Sequence, residues 1–306
     1  MTNATSVIEP TVLLDGLAYV ESPRWHDGRL WFAHWGAGGA VAVDLTGNSE
    51  VVGHGPPRLG GSIDWLPDGR LLVTGDELLR QEPDGTTVQH ADLSDLVPFW
   101  NEIVVDGRGN VYLNSIAFQF LAGAKPTSGI IALLRPDGSA RQVAGDLAFP
   151  NGMVITPDNS TLIISESMAG QLTAFDIAAD GSLANRRVWA QGLLPDGICM
   201  DDEGAVWVQT KNERNHSGGA RGPEGAVVRV HEGGEPLERI EHDRPILRQH
   251  ARWPRRQDPI PRGRRVARHR TPRRRTRGLH RADPYRQRTG PRDRMAVSRE
   301  PRVPNI

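Results

Sequence analysis

The chain has 306 residues and a formal net charge of zero, enough for one large all-β domain or two ordinary ones. That zero averages two unlike regions: residues 248–306 hold 20 Arg, no Lys and four acids, and residues 1–247 carry the balancing −16. An acidic body argues against a nucleic-acid binder and suits a protein that holds a cation, and a single cysteine, Cys199, excludes an intrachain disulfide.

The N-terminal stretch MTNATSVIEPTVLLDGLAYVESPRW has no basic n-region and no long apolar core, so no signal peptide is expected. No run reaches the roughly 18 apolar residues of a membrane span. Together with the lone cysteine this points to a cytoplasmic protein with no membrane partner.

From residue 26 onward, short strand-like runs bounded by Gly, Pro, Asp and Asn take the place of helical periodicity. One pattern recurs, an acid or Asn with Gly or Ser in a turn and then a short apolar strand. It reads HDGRLWFAH at 26–34, PDGRLLVTG at 67–75, DGRGNVYLNS at 106–115, PDNSTLIISES at 157–167 and DDEGAVWVQT at 201–210. Asp-Gly and Asn-Gly readily take positive φ, which suits tight hairpins. A second element repeats as AVAVDLTGN (40–48), IIALLRPDG (130–138), LTAFDIAADG (172–181) and VVRVHEGGE (227–235). The period of about 40–50 residues is that of a four-stranded propeller blade. An all-β β-propeller is therefore expected, with about five blades recognisable in residues 1–245. A β-sandwich with generic hairpins is the alternative.

Within these repeats three residues place an oxygen ligand at the start of a strand-like run. They are Glu21 in ESPRWHDGRLWF, Asn151 in FPNGMVITPD and Asp196 in LPDGICMDDEG. Ends of innermost propeller strands converge, so distant residues can form one oxygen-rich site. Such hard ligands suit one divalent cation, Ca²⁺, Mg²⁺ or Mn²⁺, and carboxylates also bind Zn²⁺. Taken singly, Glu21 is as readily a solvated acid, and Asn151-Gly152 and Asp196-Gly197 are turn dipeptides. Cys199 lies in the apolar run GICM and reads as core rather than nucleophile. No GxSxG nucleophile motif is present.

The segments ESPRWHDGRLWF, NEIVVDGRGNVYLNS, FPNGMVITPDNSTLIISES and PDGICMDDEGAVWV resemble the signatures of the gluconolactonase, regucalcin (senescence marker protein) and luciferin-regenerating-enzyme family. The resemblance runs through about residues 15–245 and implies an all-β, six-bladed β-propeller, of which about five blades are recognisable here. It implies that Glu21, Asn151 and Asp196 bind one divalent metal, that Asn101 contacts substrate, and that Asp196 is the general base in hydrolysis of a small-molecule lactone. A metal ion there would polarise the carbonyl and acidify water. A non-catalytic Ca²⁺-binding or ligand-binding propeller, or an inactive product of a damaged gene, are the alternatives.

The chain departs from the family pattern at three places. Glu102 stands where many relatives have Asp, Phe99 where sugar lactonases carry Arg, and His34 where Asp is common. Loss of the guanidinium favours a less polar lactone or another ester. His34, Trp35 and Asp64 are expected at the channel mouth, His34 as a rim residue more than a ligand. Trp65 and Trp100 read as core or wall.

Residues 246–306 are dense in Arg and Pro and show no apolar periodicity. They read as a disordered tail or a basic nucleic-acid arm, or, the reading preferred here, as out-of-frame translation of a GC-rich gene. Codons from Ile246 onward can be chosen so that the +1 frame contains PDGKTLFLV, a sixth copy of the blade motif. On that reading the tail binds no nucleic acid.

Overall fold

A computed structural model describes residues 12–17, 20–35, 38–52, 61–118, 123–211 and 225–242, all within one compact unit, 1–261. The Arg/Pro-rich segment 246–306, and with it the sixth-blade and frame readings, lies outside the described residues.

Five four-stranded antiparallel sheets follow one another along the chain. Blade 1 is β1 (Val20–His26), β2 (Arg29–His34), β3 (Ala40–Val43) and β4 (Ser49–Val52). Blade 2 is β5 (Ile63–Trp65), β6 (Leu71–Val73), β7 (Leu78–Gln81) and β8 (Thr87–Ala91). Blade 3 is β9 (Glu102–Val105), β10 (Val111–Ser115), β11 (Gly129–Leu134) and β12 (Ala140–Leu147). Blade 4 is β13 (Pro150–Ile155), β14 (Thr161–Glu166), β15 (Gln171–Ile177) and β16 (Leu183–Gln191). Blade 5 is β17 (Pro195–Met200), β18 (Val206–Lys211), β19 (Gly225–Val230) and β20 (Pro236–His242). The first strand of each blade neighbours the first strand of the next, from β1 through β5, β9 and β13 to β17, which is a propeller arrangement.

The recurring turn motif is the link between the first and second strands of every blade. Only Asp27-Gly28 is a two-residue hairpin with positive φ at both positions (48° and 73°). Elsewhere the acid works through its side chain. Asp106 Oδ1 accepts from the amides of Arg108 and Asn110, both at 2.9 Å, and Asp201 Oδ1 accepts from Glu203 and Ala205 at 3.0 and 2.9 Å. The carboxylate thus closes the loop as a side-chain-capped turn, while Gly109 and Gly204 take the positive φ.

The core lies in the seams between blades. Ala33 and Ala40 meet Ile63 and Leu71 between blades 1 and 2, and Leu72 and Leu78 meet Ile103 and Leu113 between 2 and 3. Tyr112 and Ile131 meet Met153 and Leu162 between 3 and 4, and Val154 and Ile163 meet Ile198 and Val208 between 4 and 5. Burying such side chains stabilises by about 1.5–3 kcal/mol each. Cys199 is buried, as its apolar run implies. Among the described residues no helix is long and apolar enough to cross a membrane.

Candidate functional site

Glu21, Asn151 and Asp196 are each the second residue of an innermost strand, β1, β13 and β17. Each also sits at a break in pairing: register shifts lie between Glu21 and Arg24, between Pro150 and Met153, and between Pro195 and Ile198. A bulge leaves a residue out of the ladder and re-aims its side chain. In contrast, β9 pairs with β10 without a shift.

Blades 4 and 5 bring two of these residues together. Asn151 Nδ2 donates to Asp196 Oδ1 across the seam. Ser167 Oγ, 3.4 Å from Asn151 Nδ2, donates to the Pro195 carbonyl at 2.7 Å. Asn151 Oδ1 is buried and has no hydrogen-bond partner among the described residues. A buried acceptor left in that state costs about 1–3 kcal/mol. The approach of the two strands requires glycine at position 152. A Cβ there would lie 2.6 Å from Ile198 N and 2.9 Å from both Asp196 O and Gly197 Cα.

Asn101 extends this polar row into blade 3. Its Nδ2 donates to the Pro150 carbonyl at 3.2 Å, one residue before Asn151. Asn114 Nδ2 donates to the Asn151 carbonyl at 2.7 Å. The row from Asn101 to Asp196 therefore spans blades 3 to 5. Glu21, also buried, lies on blade 1.

A second polar cluster joins blades 1 to 3 one residue further along each strand. Ser22 Oγ is 2.7 Å from Ser62 Oγ, and Ser62 Oγ donates to Glu102 Oε1. Arg24 Nη2 donates to Glu102 Oε1 at 3.1 Å and to the Ile103 carbonyl at 3.0 Å. Ser22 and Glu102 directly follow Glu21 and Asn101, so the cluster fixes the backbone that carries both. Sequence reasoning noted Glu102 only as a departure. It missed Ser22, Ser62, Asn114 and Ser167, whose one visible signal was a polar residue inside or next to an apolar strand.

Asp64 Oδ2 accepts from Val105 N at 2.8 Å, joining the innermost strands of blades 2 and 3. Burial pushes its carboxyl up from the ordinary value, against the pull of the Arg24 guanidinium. Trp35 donates its indole hydrogen to the Gly61 carbonyl at 3.0 Å, and His34 ends β2. Trp100 is core at 1% exposure, and Trp65 stacks on His26 with centroids 4.0 Å apart.

A family model described as the SMP-30/Gluconolactonase/LRE-like region matches residues 19–245. The chain belongs to this family. Regucalcin from Gallus gallus is 27% identical over 129 residues, covering 40% of this chain and 43% of the relative, so the match spans less than half of that protein. A solved gluconolactonase from Xanthomonas campestris superposes with a TM-score of 0.62 at 24% identity, covering 77% of this chain and 80% of the other. A regucalcin from Agrobacterium tumefaciens, described as a calcium-binding protein, gives a TM-score of 0.63 at 20% identity over 78% and 80% of the two chains. At these identities the structures establish the shared propeller fold.

Carboxylates at 21 and 196 and an amide oxygen at 151, buried with no hydrogen-bond partner among the described residues, are donors of the kind a hard divalent cation takes; the structure brings 151 and 196 into contact, with Glu21 on blade 1. Among the described residues no three His, Cys, Asp or Glu side chains group as a metal site, and the expected trio draws one ligand from an amide instead.

Proposed function

We propose that the protein is a lactone hydrolase that works with one divalent cation held by Glu21, Asn151 and Asp196. The observation that carries this reading is the Asn151–Asp196 contact beside an unpartnered buried Asn151 Oδ1, on strands bulged at the same place. Membership of a gluconolactonase-like family supplies the reaction class. A cation bound there, Ca²⁺, Zn²⁺, Mg²⁺ or Mn²⁺, contributes Lewis acidity, polarising an ester carbonyl and easing proton loss from water.

The chain's own groups do the rest. Asp196 accepts the proton of the attacking water as a new C–O bond forms at the lactone carbonyl. The ring C–O bond then breaks, and the proton passes to the departing alkoxide, giving a hydroxy acid. Asn101 orients the substrate through its side-chain amide, one hydrogen of which is already directed to the Pro150 carbonyl. The Ser22–Ser62–Glu102 cluster holds the strands carrying Glu21 and Asn101 in place.

The test is hydrolysis of a panel of lactones by the purified chain, followed by acid release, with and without a chelator. Turnover abolished by chelation and restored by a divalent ion is the expected result. Turnover indifferent to chelation removes the cation from the mechanism. A second reading, a cation-binding propeller without catalysis, is favoured by the neighbour described as calcium-binding. Ca²⁺ binding with no turnover of any lactone would select it.

A further inference from the structure

The positions two residues before Asn101, Asn151 and Asp196 are Phe99, Phe149 and Leu194. They are equivalent places in blades 3, 4 and 5, all apolar and all partly exposed, whereas Trp100, Pro150 and Pro195 between them and the site are buried. Phe118, from the segment after β10, meets the Phe149 ring edge-on, with centroids 5.9 Å apart. Met168, next to Ser167, is 54% exposed.

Phe149 also has a φ of 60°, in the left-handed region that a bulky residue rarely adopts. Strain of this kind persists where the surroundings impose it, and it gathers at ligand sites. Blades 3, 4 and 5 thus each place an apolar residue two positions before Asn101, Asn151 and Asp196, an apolar collar on the side of those three blades. A hydroxyl pressed against that collar would give up water with no partner in exchange, whereas an alkyl or aryl group would lose nothing.

We propose that the substrate is a lactone carrying an apolar alkyl or aryl substituent rather than a polyhydroxylated sugar lactone, with Phe99, Phe149 and Phe118 setting that preference. The inference rests on the lactone reading above for its reaction and on the collar for its selectivity.

The test compares δ-decalactone with glucono-δ-lactone by steady-state kinetics and, separately, by calorimetric binding. The variants are Phe99→Arg, which places a guanidinium at the rim, and Phe149→Asn, which keeps a residue that tolerates positive φ. The expected result is a preference for the alkyl lactone of about tenfold or more in kcat/KM, in the range one apolar group commands. Both variants should narrow that preference, mainly through KM. Equal or better use of glucono-δ-lactone, or a ratio that neither variant moves, overturns the proposal. Tighter binding of δ-decalactone with no turnover of either lactone sustains the collar and overturns the hydrolase reading instead.

Discussion

Asn151 on β13 gives an amide hydrogen to the Asp196 carboxylate on β17, so each of two blades supplies half of one contact. Neither residue can be moved without disturbing the other, because both sit at bulges in adjoining innermost strands. Asp196→Ala removes a ligand charge and the proposed base together, and is expected to lower kcat by about 10²–10⁴-fold. Asn101→Ala removes one hydrogen-bonding group and is expected to cost less, mainly in KM. Turnover like that of the parent chain in the Asp196 variant would take it out of the mechanism.

Cation binding can be read without any substrate. Adding Ca²⁺ at about 100 times its Kd stabilises a protein that binds it only when folded by about 2.7 kcal/mol, seen as a rise in Tm. Asn151→Ala deletes the buried Oδ1 and is expected to abolish that rise. An undiminished rise in the variant would place the cation elsewhere.

Gly152→Ala adds a single methyl group where backbone atoms of blade 5 lie 2.6–2.9 Å away. The seam must open, at about 1–3 kcal/mol for such overpacking. Activity is expected to fall further than stability, since the same displacement separates Asn151 from Asp196. A variant that is destabilised yet fully active would show that the site tolerates the opening.

Glu166 supplies a pH dependence. Burial pushes its carboxyl up, but hydrogen bonds from Thr173 and the Ala148 amide, with the Arg186 guanidinium, outweigh burial and hold it below the ordinary 4.5. A depressed folded pKa contributes stability above the unfolded value, and that contribution is lost as pH falls through the folded value. Glu166→Gln is expected to cost about 1.5–3 kcal/mol at neutral pH and to flatten the loss of stability below about pH 4.5. Denaturant titrations of both proteins across pH 2–7 decide it; parallel pH profiles would contradict the assignment.

The family match ends at residue 245, where the Arg-rich composition begins. Sequencing the gene across the codons for Pro245 to Arg248 is expected to reveal a one-nucleotide shift from a frame encoding PDGKTLFLV. A confirmed reading frame, with salt-sensitive nucleic-acid binding that deletion of 248–306 removes, would establish a basic arm instead.

The five turn-and-strand repeats read from sequence coincide with the first interstrand turn and the second strand of each blade, because the Asx turn and the buried strand both leave local marks. The outer hairpin of blade 2 was not marked. Its strands LLRQ and TVQHA have few buried residues, and Thr87, Val88 and Gln89 are exposed. Glu21, Asn151 and Asp196 were legible as equivalent positions, but the bulges that distinguish them were not, since alternation reports face and not register. The Asp64–Val105 contact was not legible because the two residues are 41 apart and backbone donors carry no sequence signature. The Ser22–Ser62–Glu102 cluster escaped for the same reason, being a property of three strands at once.

Each blade is a run of four consecutive strands, so pairing within a blade needs only local loop closure, which is quick. The Asn151–Asp196 contact instead needs two finished blades to dock. During synthesis blade 4 can complete its hairpins before blade 5 has emerged, since domains form as they leave the ribosome. Refolding should therefore show two clocks, with far-ultraviolet β-signal returning first and cation affinity later. A chain arrested between them would hold every hairpin and no site.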